Sequence, residues 1–278
     1  MTDKGTVHAE HIVNAAGLWA REVGAMAGVY FPLLPMEHQY LVTEDVPQIA
    51  DMIDAGGEQP HVMDPAGESY LRQEGRGLCI GFYEQPCRPW AVNGTPWDFG
   101  HELLANDFDK IEDSIAFAYR RFPALEKAGV KSVIHGPFTF APDGNPLIGP
   151  VRGLEGYWCA CGVMAGFSQG GGVGLALAQW MINGDPGMDV WAMDVARFGD
   201  WASKAYTNAK VRENYARRFS IRFPNEELPA GRPLKTSPIY DRLAAQGAQF
   251  GAVAGLEVPL WYAPAGVRDQ LSWYRSND

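Results

Sequence analysis

"CGVMAGFSQGGGVGLALAQWMINGDP", Cys161 to Pro186, decides how the rest of the chain is read. The apolar run "GYWCACG" enters it as a short strand over Tyr157–Cys161. Glycines crowd its middle, and an Ala/Leu pattern of helical period leaves it. That helix ends near Asn183-Gly184, with Pro186 just beyond. Strand, glycine loop and helix in this order present backbone amides to an anion at a helix N-terminus. The loop lies past the middle of the chain and lacks the G-x-G-x-x-G spacing of the usual dinucleotide loop. Its candidates for ligand contact are Gly162, Val163, Met164, Ala165, Gly166 and Phe167. Gly170, Gly171 and Gly172 follow in the first helical turn, each costing about 1 kcal/mol relative to Ala. Either a flat ring or another backbone approaches there, or the helix packs closely on a strand without ligand.

"HIVNAAGLWA" (His11–Ala20) repeats this logic. Residues 5–14 read as a β segment turning into a buried strand. Asn14, Ala15, Ala16 and Gly17 form a tight turn of small residues that either meets a cofactor or is an ordinary strand-to-helix turn. In the following helix Trp19, Val23 and Met26 share one face. "GPFTFAPDGNPLIGP" (Gly136–Pro150) is stiff, with Pro142-Asp143-Gly144 as a turn. It reads as a rigid loop over a ligand or as a plain hairpin.

Between these stretches the chain changes to strand-like alternation. In "MEHQYLVTE", His38, Tyr40 and Val42 share one face. "SYLRQEGRGLCIGFYE" folds back on itself at Glu74-Gly75-Arg76-Gly77. An amphipathic helix follows, carrying Phe108, Ile111, Ile115 and Phe122 and ending at Pro123. His38 and Tyr70 are the catalytic candidates: His is an acid or base near neutrality, and Tyr orients an amine by hydrogen bonding. Arg72 shares the face of Tyr70 and is the candidate for a substrate carboxylate. Each of the three is also compatible with a structural role. After about residue 190 come a charged helix, a Pro/Gly-rich linker and a further helix-then-strand unit.

The 278 residues carry a formal net charge of −10, which argues against general nucleic-acid binding. No apolar run approaches a membrane span, and the first residues show no signal-peptide pattern. Cys79, Cys87, Cys159 and Cys161 form no C-x-x-C and are expected as buried thiols in a reducing, cytoplasmic setting. The remaining histidines have no zinc-like spacing, so no metal site is expected. There is no G-x-S-x-G and no P-loop, which leaves hydrolase and kinase readings without support.

The ordered set "HIVNAAGLWAREVG", "PMEHQYLVTE", "SYLRQEGRGLCIGFYE", "GPFTFAPDGNPLIGP", "GYWCACGVMAGFSQGGGVG" and "NEELPAGRPLKTSPIYDRL" resembles the dimethylglycine dehydrogenase/sarcosine dehydrogenase family of flavoproteins. The resemblance implies a mixed α/β (α+β) fold: a partial FAD-binding Rossmann-like domain, an antiparallel-sheet substrate domain and the start of a C-terminal linker domain. It divides the chain into 1–30 (returning part of the FAD domain), 31–135 (substrate domain), 136–190 (C-terminal part of the FAD domain) and 203–278 (incomplete linker domain). It implies FAD contacts from Asn14–Gly17 and Gly162–Phe167, with Gly136–Pro150 close by, and places His38 and Tyr70 near the flavin ring and substrate amine. The implied reaction is oxidative N-demethylation of a small amine by hydride transfer to the flavin. The alternatives are a related amine or amino-acid oxidase, or a remnant without FAD. No motif specifies the electron acceptor.

The sequence also departs from the family. The first FAD-binding unit, with its G-x-G-x-x-G, and the histidine that many members link to FAD are expected outside this stretch. So is the aminomethyltransferase-like region, the only part for which tetrahydrofolate is expected. Val163-Met164-Ala165 replaces the more usual glycine/aromatic pattern. The chain therefore reads as an internal part of a longer polypeptide.

Overall fold

The computed structural model of the chain describes residues 3–263. Two sheets position everything that follows. The smaller contains β1 (Ile12–Asn14), β7 (Leu147–Pro150) and β8 (Tyr157–Cys161), in the order β1-β8-β7. β1 runs parallel to β8 with Asn14 opposite Cys159, and β7 runs antiparallel to it. Segments more than 130 residues apart therefore meet in one sheet, and α4 (Gly166–Asn183) packs on it through Val173, Ala176 and Leu177.

The larger sheet has β2 (Leu34–Thr43), β3 (Val62–Asp64), β4 (Ser69–Glu74), β5 (Gly77–Phe82) and β6 (Val130–Phe140), in the antiparallel order β3-β4-β5-β2-β6. The expected hairpin is present: β4 and β5 join through Gly75-Arg76, and Gly75 takes φ +59°, a conformation that glycine adopts without steric cost. One face of this sheet is covered by α2 (Pro47–Asp54) and α3 (Glu112–Arg121), with Leu41, Leu71, Ile80, Ile111 and Leu125 in the core between. α5 (Lys204–Ala216) covers part of the other face, where Val211 and Tyr215 join Met36 and Phe140. α6 (Tyr240–Ala245) leads into a separate hairpin of β9 (Ala248–Val253) and β10 (Leu256–Tyr262). The part of the expected 203–278 unit beyond residue 263 lies outside the described residues.

Three local expectations change. The strand ending at Asn14 is not buried: Ile12 and Val13 are 56% and 41% exposed, because β1 is the edge of its sheet and pairs only with β8. The first helix, α1 (Ala20–Met26), turns the opposite residues inward. Ala20 and Gly24 are buried while Met26 is exposed. An added Cβ at Gly24 would stand 2.6 Å from Phe31 Cδ2, so close packing of an aromatic ring selected the small face. "GPFTFAPDGNPLIGP" is strand, turn and strand, with Gly144 at φ +75° in the turn, but β6 and β7 belong to different sheets and do not form a hairpin.

Gly149 fastens α4 to the small sheet. It has φ +109°, and an added Cβ would lie 2.6 Å from the Trp180 ring. Gly149→Ala combines backbone strain with overpacking and is expected to destabilise the chain by about 2 kcal/mol or more. Urea unfolding measures this, and an unchanged midpoint would contradict the packing described.

Candidate active site

The alternation of β2 buries Glu37, Gln39, Leu41 and Thr43 and leaves His38, Tyr40 and Val42 on the less buried face. Tyr70 and Arg72 hold the matching positions on β4. β5 lies between these two strands, so His38 and Tyr70 are not neighbours in the sheet. What joins them is Gly81, which pairs with Tyr70 on one side and Tyr40 on the other. The Tyr70 ring lies over Gly81 in the space a Cβ would fill. Its hydroxyl thereby reaches His38 Nε2 at 3.1 Å.

The other imidazole nitrogen is held equally firmly. His38 Nδ1 is 3.0 Å from the hydroxyl of Tyr215 on α5, and that hydroxyl donates to Glu84 Oε2 at 3.0 Å. Glu84 is buried and forms a 2.7 Å ion pair with Lys110. A tyrosine has one proton to give. Since Tyr215 gives its proton to Glu84, its oxygen accepts from His38, which is then the Nδ1–H tautomer. Nε2 consequently accepts from Tyr70, and the Tyr70 oxygen keeps its lone pairs for a ligand. Tyr83 and Phe138 pack against the imidazole at centroid distances of 4.8 and 5.0 Å. Burial, aided by the charges of Lys110 and His135, lowers the His38 pKa to about 3. His38 is therefore neutral near pH 7 and is not a standing acid. Burial moves the Tyr70 hydroxyl upward, so it stays protonated.

Arg72 does not stand free. It bonds the carboxylate of Glu74 and the carbonyl of Gln73. It nevertheless lines a cavity of about 440 Å³ together with His38, Tyr70, Met164, Ala165 and Arg218. The cavity thus joins the large sheet to the glycine loop. Gly162 begins that loop with φ +62°; Val163 packs against the Ile148–Val173–Ala176 cluster, while Gly166 and Phe167 are exposed.

Asn14–Gly17 lies on the same edge as this loop, because parallel β1 and β8 end side by side, and Cys161 Sγ donates to the Asn14 carbonyl. The carboxyl ends of parallel strands are where open α/β sheets bind ligands. The Asn14 side chain is committed to the turn itself: Oδ1 accepts from Ala16 N and Nδ2 donates to the Ala20 carbonyl. Ala16 is half-buried, and Ala15 and Gly17 are exposed. Gly170, Gly171 and Gly172 are exposed as well, and a Cβ added to any of them would meet nothing within 4 Å. Tight helix–strand packing is therefore not why they are glycines. Backbone amides at the start of α4, beside the open positions of Gly170, Gly171 and Gly172, fit an anionic ligand. Tyr215, Glu84 and Arg218 went unmarked in the sequence, where no local pattern separates them from ordinary helix and strand residues.

The chain belongs to the FAD dependent oxidoreductase family, whose model matches residues 1–180; a model of the FAD dependent oxidoreductase central domain matches residues 183–237. Within that class it is 40% identical to mouse (Mus musculus) mitochondrial dimethylglycine dehydrogenase over 99% of this chain and 32% of that protein. It is 37% identical to mouse mitochondrial sarcosine dehydrogenase over 98% of this chain and 29% of that protein. The chain spans about a third of the length of these relatives. Among solved structures it is similar to L-proline dehydrogenase from P. horikoshii, with a TM-score of 0.57 and 25% identity over 70% of this chain and 48% of that one. The mixed α/β fold is that of these FAD-dependent oxidoreductases, and FAD is the family's cofactor. Among the described residues no helix is long and apolar enough to cross a membrane.

Gly81→Ala is expected to force Tyr70 away from His38 and to destabilise the fold by about 1–3 kcal/mol through overpacking. Denaturant unfolding and a crystal structure of the variant check both parts. An unmoved Tyr70 would contradict the crossing geometry.

Proposed function

We propose that the chain forms the substrate side and part of the cofactor side of an FAD-dependent enzyme. It would act on the CH–NH group of small N-methylated amino acids, dimethylglycine or sarcosine, by oxidative N-demethylation. The observation that carries this reading is the single cavity shared by His38, Tyr70 and the Met164–Ala165 part of the glycine loop. Residues 1–30 and 136–190 would belong to the FAD domain, 31–135 to the substrate domain and 203–278 to a linker domain. Pairing of β1 with β8 supports the first grouping.

Asn14–Gly17 and Gly162–Phe167 would hold the FAD by backbone amides and close approach. When bound, FAD would supply the hydride acceptor. The chain's own residues then have three tasks. Tyr70, with its proton committed to His38, offers an oxygen lone pair to the substrate ammonium. Arg72 and Arg218 at the cavity wall attract the substrate carboxylate. The apolar walls from Tyr83, Phe138 and Phe219 keep water from the reacting carbon. Hydride loss is easiest from a neutral amine, so a site of this kind must also take up the ammonium proton. A small-molecule amine is the proposed partner. A cytoplasmic setting is part of the same proposal.

The test is anaerobic bleaching of the FAD-loaded chain. Dimethylglycine or sarcosine should bleach the flavin absorption, and Tyr70→Phe should slow bleaching by about 10-fold or more. Failure with both amines alongside bleaching by D-amino acids would overturn the substrate class.

A further inference from the structure

The hydrogen bonds around His38 run in one direction and end on a buried carboxylate. Tyr70 donates to His38 Nε2, His38 Nδ1–H donates to Tyr215, and Tyr215 donates to Glu84 Oε2, over distances of 3.1, 3.0 and 3.0 Å. Every link is a group that both gives and receives a proton, except the last. Glu84 has no proton to pass on and accepts only. We infer that Glu84 is the terminal acceptor of the proton the bound amine gives up, reached from Tyr70 through His38 and Tyr215.

The inference rests on the amine reading above, but the wire itself does not. Written out, the substrate N–H bond breaks, its electron pair stays on nitrogen, and the proton goes to the Tyr70 oxygen. The proton of Tyr70 moves to His38 Nε2, that of His38 Nδ1 to the Tyr215 oxygen, and that of Tyr215 to Glu84. One carboxylate becomes a carboxylic acid, and no electrons change hands. His38 gives up one proton as it gains another, so no lasting imidazolium is needed where burial opposes that charge.

The surroundings of Glu84 suit an acceptor. Lys110 pairs with Glu84 at 2.7 Å and with Glu37 at 3.5 Å, and Arg88 lies 3.4 Å from Glu37 and 3.0 Å from Asp107. Among Glu84, Glu37, Asp107, Lys110 and Arg88, three carboxylates therefore share two cations, and one added proton balances these five groups. Lys110, Arg88 and Asp107 also line a second cavity, together with Cys87 and Arg212. The groups facing Glu84 are Lys110, Tyr215, Tyr83, Cys87 and Glu68. Those facing His38 are Tyr70, Tyr83, Tyr215, Lys110 and His135. Burial raises the Glu84 carboxyl above the usual carboxylate range, with Lys110 and Tyr215 opposing.

The test uses the full chain. Nitrogen-15 NMR of the imidazoles should find His38 as the neutral Nδ1–H tautomer at pH 7. Tyr215→Phe keeps the ring and removes the hydroxyl, and should abolish that preference. On acidification, infrared difference spectra should show a protonated carboxyl band before His38 becomes imidazolium, and Glu84→Gln should remove it. Adding N,N-dimethylglycine should raise the same band at constant pH. An Nε2–H tautomer in the unmodified chain, a tautomer indifferent to Tyr215→Phe, or imidazolium forming first would overturn the wire. Binding of dimethylglycine without the band would overturn Glu84 as the destination. No binding at all would count against the amine reading while the NMR result still decides the wire.

Discussion

The imidazole of His38, clamped between the hydroxyls of Tyr70 and Tyr215, is the contact on which the rest of the site depends. It ties β2 to β4 across an intervening strand and ties the sheet to α5. Both tyrosines are needed to satisfy a ring that burial keeps neutral. The same clamp orders the protons. Glu84 fixes the direction at Tyr215, and the direction then propagates to the face of Tyr70 that lines the cavity. A structural bond 131 residues apart in sequence thus decides what the cavity presents to a ligand.

Glycine serves two opposite purposes here. Gly81 and Gly149 are filled positions, where a side chain of this chain occupies the place of the missing Cβ. Gly170, Gly171 and Gly172 are open positions on the exposed side of α4, at the carboxyl edge of the parallel strands. The first kind explains how the fold closes. The second explains nothing within the chain and fits a ligand surface. The fully exposed Phe167 at the start of α4 belongs to this same open face.

Short-range features were legible in the sequence. The β4–β5 hairpin, the strand Tyr157–Cys161 and the helix ending at Gly184 follow from turn residues and periodicity. So did the facing positions of His38 on β2 and Tyr70 and Arg72 on β4. What was not legible depends on distant packing. The inward face of α1 depends on Phe31, which selects Gly24, and exposure of β1 follows from its place at a sheet edge. Gly81 inside an apolar strand was a readable sign of close approach, yet nothing local said that Tyr70 would supply it. Tyr215 and Glu84 enter the site only through tertiary contact.

The central claim is that the glycine loop and the His38–Tyr70 cluster are two walls of one site. Hydrogen exchange of the chain with and without FAD and N,N-dimethylglycine tests it directly. The account predicts added protection of the amides of Gly162–Phe167 with FAD, extending to β4 around Tyr70 when the amine is present. Protection confined to one wall, or appearing at neither, would contradict it.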